Sequence, residues 1–292
     1  MTDNRIGLIG LGIMGKPMAN NLLAAGYKLG IYARRPESLE DISKNTQVET
    51  YPSLDSLAQH CDTCIICVAD SPDVVDVISG ENGLIHGASA GHLIIDMSTI
   101  SPEVTRTLAE KLAAKNIEML DAPVSGGEVG AIDGTLSIMV GGKMDIFSRA
   151  LPLFKVLGKN IVHVGDHGAG QVAKACNQIL AAQTIAAVAE AMLLAKSCDV
   201  DPAKVRQALL GGFANSRVLD LHGQRMLDNN YTPGFKASLH FKDMNIALKS
   251  ANENNISLPG AEMATQYLKT VVEEASEDFD SSAIAKVIFD EL

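Results

Sequence analysis

The 292-residue sequence predicts an α/β fold: a parallel, doubly wound sheet over residues 1–165, followed by an all-α domain over residues 166–292. Three observations carry this reading. Short apolar runs alternate with helical patterns through the first half, a glycine-rich turn follows the first run, and strand-like alternation ceases after Gly165. Alternation of this kind packs helices on both faces of a parallel sheet. The length suffices for two domains with full cores.

The elements follow in order. RIGLIG, KLGIYA, TCIICVA, HLIIDMS and IEMLDAPV are strand candidates, rich in Ile, Leu and Val. Between them lie helical segments such as KPMANNLLAAG and SPEVTRTLAEKLAAKN, the latter with Ser101 as cap and Pro102 at its first position. TLSIMVGG and NIVHVG add two more strands. Residues 167–196 then read as one long helix that opens the second domain. Breaks follow at Asp201-Pro202, Gly211-Gly212, Thr232-Pro233-Gly234 and Pro259-Gly260.

Composition excludes several classes. A net charge of −11 argues against nucleic acid as a partner. The first apolar stretch, IGLIGLGIMG, is read as strand and turn rather than a leader. The helix at 167–196 comes nearest to a bilayer span but is interrupted by Gln171, Lys174, Asn177, Gln178, Gln183 and Glu190. The expectation is a cytoplasmic protein with no membrane partner. CDTCIIC suggests a metal cluster by spacing, yet strand alternation would send Cys61 and Cys67 to one face and Cys64 to the other. Buried reduced thiols, and no metal, are expected. The seven histidines form neither a zinc-ligand pattern nor a triad, and His163 and His167 are expected to be structural. The acidic stretch EEASEDFD, residues 273–280, is read as a solvated helix–loop face.

Gly10-Leu11-Gly12-Ile13-Met14-Gly15 follows a strand and precedes a helix, the setting in which this glycine spacing binds a dinucleotide. Gly10 permits the turn, Gly12 lets backbone approach a pyrophosphate, and Gly15 allows close packing of the helix. The helix N-terminus offers N–H groups to the phosphates. An NAD site usually carries an acid at the end of the second strand; here Arg34 and Arg35 stand there, which favours NADP(H) over NAD(H) through charge-assisted bonds to a 2′-phosphate.

Chemistry is expected at two further places. Ser125, Gly126 and Gly127 close a strand with a hydroxyl and exposed N–H groups suited to a small carboxylate. Lys174 lies near the start of an apolar helix, where an ammonium can protonate the alkoxide formed when a carbonyl accepts hydride. Asn177 and Gln178, at i+3 and i+4, share its face and are candidates to hold substrate oxygens.

GLGIMGKPMANNLLAAG, DAPVSGGEVGAIDGTLSIMVGG, GAGQVAKACNQ and FKDMNIAL, in that order along the whole chain, resemble the β-hydroxyacid dehydrogenase family. GGFANSRVLDLHGQRML and PGFKASLHFKDMNIAL resemble its 2-hydroxy-3-oxopropionate (tartronate semialdehyde) reductase branch. The resemblance implies a Rossmann-like domain, a long interdomain helix and an all-α domain used to form a homodimer or homotetramer. It places the catalytic lysine at Lys174, the substrate-binding serine and glycines at Ser125, Gly126 and Gly127, and the amide partner at Asn177 or Gln178. Cofactor contacts fall on Ser98-Thr99 and on Lys242, with Asp243 beside it. Where relatives often have Met-Leu-Pro, this chain has Val68-Ala69-Asp70, which preserves backbone contacts to a cofactor and changes the packing. The implied activity is NAD(P)H-dependent reduction of tartronate semialdehyde to glycerate. The alternatives are relatives acting on 3-hydroxyisobutyrate, succinic semialdehyde or a sulfonated aldehyde, and a non-catalytic binding module of the same fold.

Overall fold

Alternating apolar side chains on a central strand need cover on both faces, and the first part of the chain supplies it. The computed structural model describes residues 5–39, 42–275 and 278–291. Among these, nine strands form one sheet: β1 (Arg5–Ile9), β2 (Lys28–Tyr32), β3 (Val48–Thr50), β4 (Thr63–Ile66), β5 (Leu93–Asp96), β6 (Glu118–Asp121), β7 (Val124–Ser125), β8 (Leu136–Gly141) and β9 (Gly158–Gly165). The first six lie in the order β3-β2-β1-β4-β5-β6, all parallel. That order reverses direction between β1 and β4, the kind of switch point at whose strand carboxyl ends ligands bind in open α/β sheets.

The expectation of a wholly parallel sheet is corrected at its far edge. β8 runs antiparallel to β6 and β7, and β9 returns parallel to β8. The link from β7 to β8 holds only the six-residue helix α6 (Gly127–Ile132), short of the dozen or more residues that a parallel crossover takes. Helices α1 (Gly15–Ala24) and α7 (Met144–Leu157) cover one face, packing on Leu8, Ile65 and Ile95. Helices α2 (Leu54–His60), α3 (Ser71–Ser79), α4 (Leu84–Gly87) and α5 (Pro102–Ala113) cover the other, packing on Ile66, Ile94 and Met119. Pro102 does open α5, but Ser101 makes no side-chain cap there; its N–H instead donates to Ser71 Oγ at 3.2 Å.

The cysteine reading also changes. β4 starts at Thr63, so Cys61 falls outside the strand alternation. Cys61 and Cys64 pack into one core and Cys67 against the other. Burial pushes the Cys61 and Cys67 thiols up to about 12, so both are protonated at neutral pH.

The chain divides into two compact units, Met1–Lys174 and Ala175–Leu292. The division lies inside the 29-residue helix α8 (Ala169–Ser197), because its first turns are hydrogen-bonded to loops of the sheet. The second unit continues α8 and adds α9 (Pro202–Leu210), α10 (Arg217–Leu227), α11 (Ala237–Glu253), α12 (Pro259–Glu274) and α13 (Ile284–Ile288). Asp201 caps α9 through Ala203 N–H, and Ser216 caps α10 through Leu219 N–H. Its core takes Ala182, Ile185, Ala186, Ala189 and Met192 from α8, at the spacing of one helical face. By length and composition α8 does reach the level of a bilayer span, because its polar residues are spread out. Its buried stripe is core of the second unit, while Val172, Leu180 and Leu194 on the same helix stay exposed.

Candidate active site

The loops singled out in the first unit all leave the carboxyl ends of parallel strands: Gly10–Gly15 after β1, Arg34-Arg35 after β2, Val68-Ala69 after β4, Ser98-Thr99 after β5 and Ser125–Gly127 beyond β6. Gly10 has φ +96°, and a side chain there would run into the carbonyl of Cys67. A Cβ on Gly15 would collide with the Gly10 carbonyl, whereas Gly12 faces open space with nothing within 4 Å. The protein's own packing therefore demands glycine at 10 and 15 but not at 12, as expected if a ligand needs the room. No side chain caps the N-terminus of α1; although Lys16 N–H donates to Gly12 O at 3.0 Å, the positive end of the helix dipole still faces this turn. Beside this turn a groove of about 520 Å³ is lined by Leu11, Gly12, Ile13, Lys16 and Glu128. These features fit the diphosphate of a dinucleotide.

Arg34 and Arg35 are exposed, and the Arg34 guanidinium lies 3.4 Å from the Asp73 carboxylate. At Ser125–Gly127 the backbone reaches positive φ at Gly126 (+136°) and Gly127 (+62°), and both glycines are exposed. Ser125 is half-buried at the end of β7.

Lys174 is buried, with 7% exposure, and so does not snorkel into water from the helix start. The helix that carries it is capped by a residue 47 positions upstream of its first bonded N–H: Asp121, at the end of β6, accepts from Gly168 N–H (2.8 Å) and Gln171 N–H (3.0 Å). Burial raises the Asp121 pKa above the usual carboxylate value despite those bonds. The Gln171 side chain donates to Ser98 O (2.9 Å) and accepts from Ile100 N–H (3.1 Å). Sequence reasoning misses both Asp121 and Gln171 as site residues. The signal available is a polar residue, Asp121, ending an apolar strand just before the Ser125 turn.

Asn177, Gln178, Lys242 and Asp243 form a separate group within the second unit. Asn177 Nδ2 donates to Gln178 Oε1 (2.7 Å), and Gln178 Nε2 donates to Asp243 Oδ2 (2.7 Å). The Lys242 ammonium lies 3.0 Å from Asp243 Oδ1. Both ends of the buried Gln178 amide are thus engaged by protein, while Asn177 is only half-buried. In the first unit, His163 and His167 bind the carbonyls of Gly142 and Met119.

Comparison with known proteins agrees with this architecture. Residues 5–165 match the family model for the NAD binding domain of 6-phosphogluconate dehydrogenase. Residues 168–288 match that for the NAD-binding region of NADP-dependent 3-hydroxyisobutyrate dehydrogenase. The chain is 45% identical to 2-hydroxy-3-oxopropionate reductase of Escherichia coli strain K12, covering 97% of each chain. It is 36% identical to 3-hydroxyisobutyrate dehydrogenase of Pseudomonas aeruginosa, covering 98% of each. Among solved structures, Mycobacterium tuberculosis 3-hydroxyisobutyrate dehydrogenase with L-serine superposes with a TM-score of 0.88 at 28% identity, covering 98% of this chain and 99% of that one.

Proposed function

This chain belongs to the β-hydroxyacid dehydrogenase family and is an NAD(P)-dependent oxidoreductase; from that premise we propose that it reduces tartronate semialdehyde to glycerate, using NADPH in preference to NADH. The observation that carries the reading is the buried ammonium of Lys174 on a helix anchored to the strand that leads into the Ser125–Gly127 turn. The whole-length likeness to a 2-hydroxy-3-oxopropionate reductase supports the choice of substrate.

The Gly10–Gly15 turn and the N-terminal end of α1 hold the cofactor diphosphate, with Val68, Ala69 and Thr99 along its length and Lys242 near it. Arg34 and Arg35 take the 2′-phosphate, Asp73 restraining Arg34. A reduced nicotinamide supplies a hydride to the aldehyde carbon. Ser125 and the N–H groups of Gly126 and Gly127 hold the substrate carboxylate. Lys174 gives its proton to the carbonyl oxygen as negative charge develops there and recovers it in the reverse direction. Asn177 orients the substrate, and Gln178 holds Asn177 in place through the bond between their amides.

Lys174→Ala tests the core of this assignment. Turnover should fall by about 100-fold or more while NADPH binding persists, read by steady-state rates and by cofactor fluorescence. Near-wild-type turnover would remove Lys174 from its role. A second reading, favoured by the likeness to the Pseudomonas enzyme, is a 3-hydroxyisobutyrate dehydrogenase. Parallel assays of tartronate semialdehyde reduction and 3-hydroxyisobutyrate oxidation, each with both cofactors, separate the two.

A further inference from the structure

Of the segments of the first unit that carry the proposed contacts, four are tied together by a single buried polar network: those at Val68, at Ser98-Thr99, before Ser125 and at Lys174. Val68 N–H donates to Ser98 Oγ (3.0 Å), and Ser98 N–H donates to Asp96 Oδ1 (3.0 Å). The Ser98 carbonyl and the Ile100 N–H are both bound by the Gln171 side chain, at 2.9 and 3.1 Å. Gln171 N–H in turn rests on Asp121, which stands four residues before Ser125. Ser98 and Gln171 are almost fully buried, at 2% and 1% exposure, so water does not substitute for these bonds. Lys174 lies one helical turn beyond Gln171.

The inward-facing amide of Gln171 does something no apolar residue at that helix position could do. Its N–H and its oxygen grip two backbone groups two residues apart, on either side of Thr99. The 98–100 loop is thereby fixed to the turn of α8 that carries the ammonium. We propose that Gln171 is a positioning residue of the reaction: it sets the nicotinamide-side loop at Thr99 against Lys174, with Asp121 as its support. This rests on the reading of Lys174 as the general acid. A misplacement on the order of 1 Å between a catalytic group and its partner costs as much as about 100-fold in rate.

Gln171→Glu and Gln171→Leu test it. The carboxylic acid introduced by the first change is, when protonated, nearly isosteric with the native amide. Its O–H can donate to Ser98 O while its carbonyl oxygen accepts from Ile100 N–H. Once ionised, it sets a carboxylate against the Ser98 carbonyl and breaks the grip. The titratable groups around it are the carboxylates of Asp121 and Asp96, His167 on the Met119 carbonyl, and Lys174 one turn along. Burial and the two carboxylates raise the pKa of the new acid, and fully buried glutamates titrate as high as about 8–9.

The expected result is a descending limb in kcat that sets in at lower pH for Gln171→Glu than the limb that deprotonation of Lys174 gives the wild type. Gln171→Leu should lower kcat by about 10- to 100-fold at every pH, with the KM for aldehyde and the affinity for NADPH changed far less. Wild-type kcat in both variants across the pH range overturns the proposal while leaving the Lys174 assignment standing. A loss of kcat matched by equal losses of NADPH affinity and melting temperature also overturns it, since a merely structural amide behaves that way. If Lys174→Ala retains turnover, the underlying reading falls, and this proposal falls with it.

Discussion

Asp121 in the first unit and Asp280 in the second are buried carboxylates that organise backbone, and the two are tuned in opposite directions. Asp121 in the first unit accepts from two backbone N–H groups, and burial leaves its pKa raised. Asp280 in the second unit is comparably inaccessible, yet its pKa is lowered. Burial raises it there too, but four hydrogen bonds outweigh that: Gly234 and Phe235 N–H on one oxygen, Ser282 N–H and Oγ on the other. Arg225 and His222 lie at 3.6 and 3.5 Å. Depth alone does not decide ionisation; the number of donors aimed at the carboxylate does. Asp280 is an anion whose desolvation the fold offsets with bonds on both oxygens. Asp121 is held by two bonds, the number needed to cap α8.

Three measurements bear on this contrast. Asp280→Ala orphans three backbone N–H groups and removes the carboxylate beside Arg225, which keeps its bond to the Thr232 carbonyl, and should cost about 3–4 kcal/mol in denaturant unfolding. A cost under about 1 kcal/mol would mean that water replaces the carboxylate. Asp121→Asn keeps one acceptor but turns an amide N–H toward a backbone N–H, for about 1–3 kcal/mol, and should lower turnover through the displaced start of α8. Melting in acid gives the smallest effect and the clearest sign. The stabilisation from Asp280 is full above the ordinary carboxylate value of about 3.9 and is lost as pH falls through its lower folded value. For Asp121 the folded value is the higher one, so stability tied to it falls as pH rises through that value. The melting-temperature gap between wild type and Asp280→Asn should therefore narrow in acid, and the gap to Asp121→Asn should narrow toward neutrality. Parallel slopes would refute the contrast.

The same two residues mark where sequence reading stops. Short continuous apolar runs make β1, β4, β5 and β6 legible, because each must satisfy two covered faces. β3 escapes it, since Val48–Thr50 is three residues long and mostly exposed, with too little alternation to register. The reversed direction of β8 depends on a doubling-back after Asp121, which no local pattern announces. The Gly10–Gly15 turn is legible because steric need writes glycine into the chain. The Asp121–Gln171 clamp is not, as its partners lie 50 residues apart. The reading of EEASEDFD as a solvated helix–loop face is corrected at its end, where Phe279 packs against the second unit's core and Asp280 is buried. Glu273, Glu274 and Asp278 are exposed, but Asp280 turns inward at 1% exposure to pin the 234–235 loop. Residues 276 and 277 of that stretch lie outside the described residues. Composition signals charge without saying which member has donors waiting for it.

The uneven burial of sulfur has a practical consequence. Cys61 and Cys64 are buried and Cys67 largely so, whereas Cys176 and Cys198 stand exposed along or just past α8. A thiol-directed dye should thus decorate the native chain at two sites separated by about 33 Å of helix, at ~1.5 Å per residue. One of them stands two residues from Lys174, so the unaltered protein carries its own spectroscopic ruler with one end beside the proposed chemistry.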